Sequence, residues 1–261
     1  MLMRPVDGEL QLLQHELLAL GSVVGDTFFQ LIDILKRRDL AGAQRLITLD
    51  QRIHKKRFSI EMDCLTLIAT QRPLDGDLRA AIAILEIATE LERMGNSTND
   101  TIGSPFMIID GSLLNVLDDI HRMASKTQDL LHRTLQAFTQ NESSLTQAIP
   151  AVDYEVNVLY NQIYQELLSV MQKDSGTNSG SRAIVNQARY LARIARNLKR
   201  CIKQVITIYQ WVIFAVSDDI VEIERTEGAR LPASAHHSTG LNQISIKSAA
   251  RDTLVLEEDQ L

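Results

Sequence analysis

Hydrophobic residues recur at three- and four-residue intervals over six long stretches of this chain, and strand-like alternation is nearly absent. From Asp7 to Arg38 an apolar ridge runs through Leu10, Leu13, Leu17, Leu20, Val24 and Phe28, on to Leu31 and Leu35, which predicts a long amphipathic helix. A second helical stretch covers Asp39 to Ile68. Pro73 breaks it, and Asp75 is placed to cap a third that runs to about Asp100. Gly103-Ser104-Pro105 marks the next break, before predicted helices from about Ile109 to Gln140 and from Leu145 to Lys173. The run from Asp174 to Ser181 has the composition of a turn and leads into a sixth helix. After Asp218 the periodicity decays, and the last thirty or so residues read as a mobile tail with a short apolar alternation near Ile244 and Ile246.

Three helices followed by three helices imply an internal duplication. Leu49-Asp50-x-x-Ile53-His54 aligns with Val152-Asp153-x-x-Val156-Asn157, and Leu91-Glu92-Arg93-Met94 aligns with Leu198-Lys199-Arg200-Cys201. Helices of this length bury their apolar stripes by packing antiparallel. The predicted fold is all-α: two tandem three-helix bundles over 3–105 and 106–220, followed by a flexible tail over 221–261.

The sixth helix carries the most unusual charge pattern. No acidic residue occurs between Asp174 and Asp218, while Arg182, Arg189, Arg193, Arg196, Arg200 and Lys203 fall on one helical stripe, with Lys199 beside it. Leu191, Ile194, Leu198, Ile202 and Val205 lie on the opposite face. Three readings stay open for the stripe: docking an anionic partner, pairing with carboxylates of the same chain, and plain solvation. The stretch from Val205 to Val216, with Tyr209, Trp211 and Phe214, is about twelve residues long and too short to span a membrane. It reads as buried helix, the alternative being a membrane- or partner-facing end.

Composition narrows the classes. The net charge of −6 and pI near 5.5 fit a soluble cytoplasmic protein and disfavour DNA binding by the surface as a whole. The 45% apolar content supports a packed core rather than wholesale disorder. Cys64 and Cys201, far apart in apolar helical patterns, read as core thiols in a reducing compartment. Gly21, Gly25 and Gly95 are spaced as helix-packing contacts, Gly76 alone makes no phosphate loop, and the scattered His residues offer no catalytic constellation.

Over about residues 3 to 217 the chain resembles the PhoU family of phosphate-signalling proteins. The resemblance rests on Ala69-Thr70-Gln71-Arg72-Pro73-Leu74-Asp75-Gly76-Asp77-Leu78-Arg79, followed at the family's spacing by Glu90-Leu91-Glu92-Arg93-Met94-Gly95, and on the duplicated three-helix plan. It implies a cytoplasmic regulator without catalytic activity, held near the inner face of the membrane through its partners. Such proteins couple a phosphate ABC transporter to a sensor histidine kinase and restrain the phosphate-starvation response. Many form homodimers, and several bind metal clusters through a motif of an acid, three residues, then an aspartate.

This chain departs from that motif. Its first half reads Glu92, Asn96, Asp100, and its second half reads Lys199, Lys203, Thr207. On the facing helix, Asp50 and Asp153 remain, while His54 and Arg57 stand at positions often acidic in the family. Ammonium groups in place of ligands argue against a second-half cluster. For the first half two readings stay open: one divalent ion held by Glu92, Asp100 and Asp50 with His54, or solvated and salt-bridged acids. The expected function is therefore an adaptor that docks a phosphate transporter ATPase or a sensor kinase through Arg189, Arg193, Arg196, Lys199, Arg200 and Lys203. The alternative is a metal- or anion-binding helical sensor. DNA binding through the basic helix is a third and poorer reading.

Overall fold

The computed structural model describes residues 4–37, 39–102, 113–140, 148–173 and 179–217. Six helices occupy them: α1 Pro5–Arg37, α2 Leu40–Gln71, α3 Asp75–Ile102, α4 Leu114–Gln140, α5 Ala148–Lys173 and α6 Ser179–Val216. The expected tail over 221–261 and the turn from Asp174 lie outside the described residues, apart from the first residues of α6.

Local chemistry explains the corners. Asp39 caps α2, its side chain accepting from the Gly42 amide at 2.8 Å. That backbone donor holds the Asp39 carboxyl below its ordinary value. At the other end Arg72 takes the left-handed conformation (φ 48°), Pro73 blocks continuation, and α3 begins at Asp75. Arg4 clamps this corner from the start of α1, with Nη2 2.6 Å from Asp7 Oδ1 and Nη1 3.0 Å from Asp77 Oδ2.

Helices α1–α3 pack on one another, as do α4–α6, giving two three-helix bundles. The bundles are joined along α1 against α4 and α3 against α6, so one apolar core runs through both. Its centre includes Leu17, Ile53, Leu91, Phe138, Leu198 and Tyr209, all nearly inaccessible. By length and composition α1 could cross a membrane, with a mean hydropathy of 1.5 over its most apolar window. The bundle accounts for that apolarity, because Leu17, Leu20, Val24 and Ile32 are buried in the shared core. Tyr209, Val212 and Ile213 likewise point inward, so the apolar end of α6 is core. Both thiols are buried, and desolvation pushes Cys64 and Cys201 up to about 12, which keeps them unreactive.

Gly21 lies where α1 meets α4. A Cβ there would stand 2.1 Å from Leu135 Cδ1, and Leu135 is itself buried. Gly21→Val is therefore expected to cost about 1–3 kcal/mol by overpacking. Urea unfolding of the two proteins measures it.

Candidate functional site

The duplication sets two equivalent seams, α2 against α3 and α5 against α6, and the chain fills them with inverted chemistry. In the first seam α3 supplies a carboxylate and α2 an imidazole and a guanidinium. Glu92 Oε1 accepts from His54 Nδ1 at 2.5 Å, and Oε2 forms an ion pair with Arg57, 2.9 Å from its Nε. Arg57 also pairs with Glu61 one turn along α2. In the second seam α6 supplies the cations. Lys203 Nζ lies 2.9 Å from Asp153 Oδ2, and Lys199 Nζ sits 4.5 Å from the centre of the Tyr160 ring. Asp153 is 3% exposed, and its Oδ1 also accepts from Asn157 Nδ2 at 3.2 Å.

Equivalent positions meet equivalent positions. With the offsets read from the sequence, Glu92 with Arg57 corresponds to Lys199 with Tyr160, and the positions of Asn96 and Asp50 correspond to those of Lys203 and Asp153, which pair. Tyr160 was not among the candidate residues. Its signal was present in the offset of 103 residues that maps Arg57 onto it.

These pairings bear on the proposed metal ligands. Both oxygens of Glu92 are engaged by nitrogen donors, and a guanidinium beside a carboxylate fills the ground a divalent cation would need. The donor set around Glu92 does not fit such an ion as placed. Asp50 lies one turn from His54 on α2, and the side chain of Asp100 lies outside the described residues. Among the described residues no three His, Cys, Asp or Glu side chains gather as a metal site would require. Arg93 turns away from the seam and pairs with Glu90 at 2.7 Å, and Lys56 pairs with Glu16 at 2.8 Å.

Glu90 is 8% exposed, and burial pushes its carboxyl above the ordinary value of 4.5 despite the pull of Arg93. The folded state thus binds this proton more tightly than the unfolded state, and stability falls as pH rises through the folded value. Glu90→Gln is expected to gain on the wild type across that window, with the gap closing below about pH 4.5. Paired urea titrations at pH 4 and pH 7 check both ends.

On α6 the basic residues divide into two groups. Lys199 and Lys203 turn into the α5 seam, and Arg193 is half-buried with its guanidinium 5.5 Å from the Tyr190 ring centre. Arg182, Arg189, Arg196 and Arg200 stay exposed and make no ion pair among the described residues. The residues facing them across the helix, Leu191, Ile194, Leu198, Ile202 and Val205, are fully buried. The stripe therefore contributes a row of four guanidiniums over about five turns, without an ion pair among the described residues, together with three cations used internally.

A family model described as the PhoU domain matches this chain twice, over residues 17–101 and 120–212. A phosphate-specific transport system accessory protein PhoU homolog of Caulobacter vibrioides is 28% identical over 218 residues, covering 83% of this chain and 92% of that protein. A protein of the same description from Streptococcus pneumoniae is 26% identical over 217 residues, covering 83% and 97%. Two solved structures share the fold: PhoU from Streptococcus pneumoniae, with a TM-score of 0.69 at 22% identity over 84% of this chain and all of that one, and PhoU from Pseudomonas aeruginosa, with 0.59 at 23% identity over 77% and 97%.

Proposed function

This chain belongs to the PhoU family, whose members are non-catalytic regulators of phosphate signalling, and we propose that it acts as the docking subunit of such a circuit. In this reading it restrains phosphate uptake and the starvation response by binding a phosphate ABC transporter ATPase, a sensor histidine kinase, or both. It works on the cytoplasmic side and reaches the membrane through those partners. The observation that carries the reading is the row of Arg182, Arg189, Arg196 and Arg200, which no carboxylate among the described residues neutralises. Guanidiniums with no role in their own fold are available to the carboxylates of another protein, where they favour fast, oriented association.

The seams belong to the same reading. Arg57 and Lys203 supply, as covalent parts of the chain, positive charge beside Glu92 and Asp153. The adaptor would then keep its shape without a divalent ion. A homodimer fits as well: α2 presents Phe58, Met62 and Leu65 at i, i+4 and i+7, each about half exposed, as a face a second copy would cover.

Binding of purified ATPase and kinase to the intact protein tests the proposal. Complexes with at least one of them at physiological salt are expected. Folded protein that binds neither, with phosphate present or absent, would contradict it.

A further inference from the structure

We propose that the groove between α1 and α2 is a docking site for the chain's own segment Leu254-Val255-Leu256-Glu257-Glu258-Asp259. The groove holds about 480 Å³. Leu20 and Ile53 form its buried floor, and Val23, 38% exposed, stands in its wall. Its rim is basic. Arg52 and Lys55 are exposed there and make no ion pair among the described residues, and Lys56, paired with Glu16, stands beside them. An apolar trough edged by unneutralised cations calls for a ligand with aliphatic anchors next to carboxylates.

The sequence contains such a ligand. Three aliphatic residues followed directly by three acids occur at 254–259. Nine acidic and four basic residues fall after Ser217, so five of the six net negative charges of the chain lie there. These residues also lie beyond the family match, which stops at 212. The folded body is thus nearly neutral overall, with the acidic balance carried by the segment that follows α6.

Reach agrees with chemistry. Asn197 of α6 bonds to the Ser97 carbonyl of α3, and Thr98 of α3 meets Thr27 of α1. α1 and α3 run parallel, since Arg4 meets Asp77 and Thr27 meets Thr98, and α4 runs opposite to α1, since Lys36 meets Asp118 and Asp26 meets Gln128. α6, two helices on from α4 in the same up-down bundle, runs with α4 and so opposite to both. Ser217 therefore lies about 30 Å beyond the Thr27 level, and the groove near Val23 lies about 6–10 Å beyond it in the same direction, at 1.5 Å per residue. The separation along the axis is about 20 Å. The 36 residues from 218 to 253 span about 30–36 Å as a flexible chain, which suits a segment that must also cross the bundle. A second copy is the weaker occupant, because a two-fold pairing over this groove would set Arg52 and Lys55 against their own duplicates.

Photo-crosslinking in the intact chain tests this. Benzoylphenylalanine is introduced at Val23 and, separately, at Ser59, with Arg196 as the position on the opposing basic surface. Crosslinks from Val23 or Ser59 to residues 252–261 of the same molecule are expected. Leu256→Asp should reduce their yield at least tenfold. Lys55→Glu should reduce it several-fold, and Glu258→Lys in that background should restore it. A mixture of isotopically labelled and unlabelled chains separates contact within one molecule from contact between two. Crosslinks between molecules, crosslinks from Arg196 instead, yields indifferent to these substitutions, or no tail crosslinks from either groove position would each overturn the proposal. None of these results depends on whether the α6 row binds a partner.

Discussion

Lys203→Ala is expected to lose about 2–4 kcal/mol of stability, among the largest effects of any single polar substitution in this chain. Asp153 is buried at 3% exposure and holds two donors, the Lys203 ammonium at 2.9 Å and the Asn157 amide at 3.2 Å. Removing the ammonium leaves an ionised carboxylate in the bundle with one neutral donor. The penalty is the desolvation of that charge, no longer offset by its partner. It stays below the upper range for buried pairs because the Lys203 side chain is 31% exposed and water reaches part of the gap. A melting temperature lower by about 5–12 °C corresponds to this loss. Adding Asp153→Asn should recover most of it, because the amide keeps the shape and removes the charge. A Lys203→Ala protein within about 0.5 kcal/mol of wild type would show that the ion pair does not hold the α5–α6 seam.

The second large effect lies on the same helix and should leave stability untouched. Reversing Arg189, Arg196 and Arg200 together to Glu is expected to weaken partner binding at least about 100-fold, equivalent to roughly 3 kcal/mol. In cells this should release the starvation response while phosphate is plentiful, read as expression from a phosphate-controlled promoter. These three side chains are exposed and have no ion pair among the described residues, so their reversal should change folding stability by less than about 0.5 kcal/mol. Binding by the wild type should also weaken with added salt, as screened surface charges do. The contrast with Lys203 is diagnostic: on the proposed reading one basic residue on α6 serves the fold, and the exposed arginines one to four turns away serve a partner.

That contrast marks where sequence reading stops. Periodicity located all six helices, Pro73 and Asp75 located the second corner, and the inward face from Leu191 to Val205 is buried as its spacing required. Those features depend on local steric and solvation rules that any window of the chain carries. The fate of each cation on α6 does not. Lys203 and Arg196 are both within the stripe at helical spacing, and only the position of α5 sends one to Asp153 and leaves the other in water. Similarly, spacing leaves Glu92 open between a metal ligand and a solvated or salt-bridged acid, and only the packing of α2 shows His54 and Arg57 beside it. The α1–α2 groove was missed because its floor is formed by Leu20 and Ile53, residues whose spacing marks them only as core. The apolar length of α1 misleads in the opposite sense, since composition cannot separate a helix buried in protein from one buried in lipid.

Arginine labelling tests the central claim most directly, because it reports on the proposed docking residues themselves. The intact protein, alone and saturated with the transporter ATPase or the sensor kinase, is treated with phenylglyoxal, and the modified residues are quantified by mass spectrometry. Arg189, Arg196 and Arg200 should be protected at least fivefold in the complex, while the exposed Arg37 and Arg45 on the first bundle label equally in both states. Unchanged labelling of the α6 row in a complex that protects other residues would contradict the account.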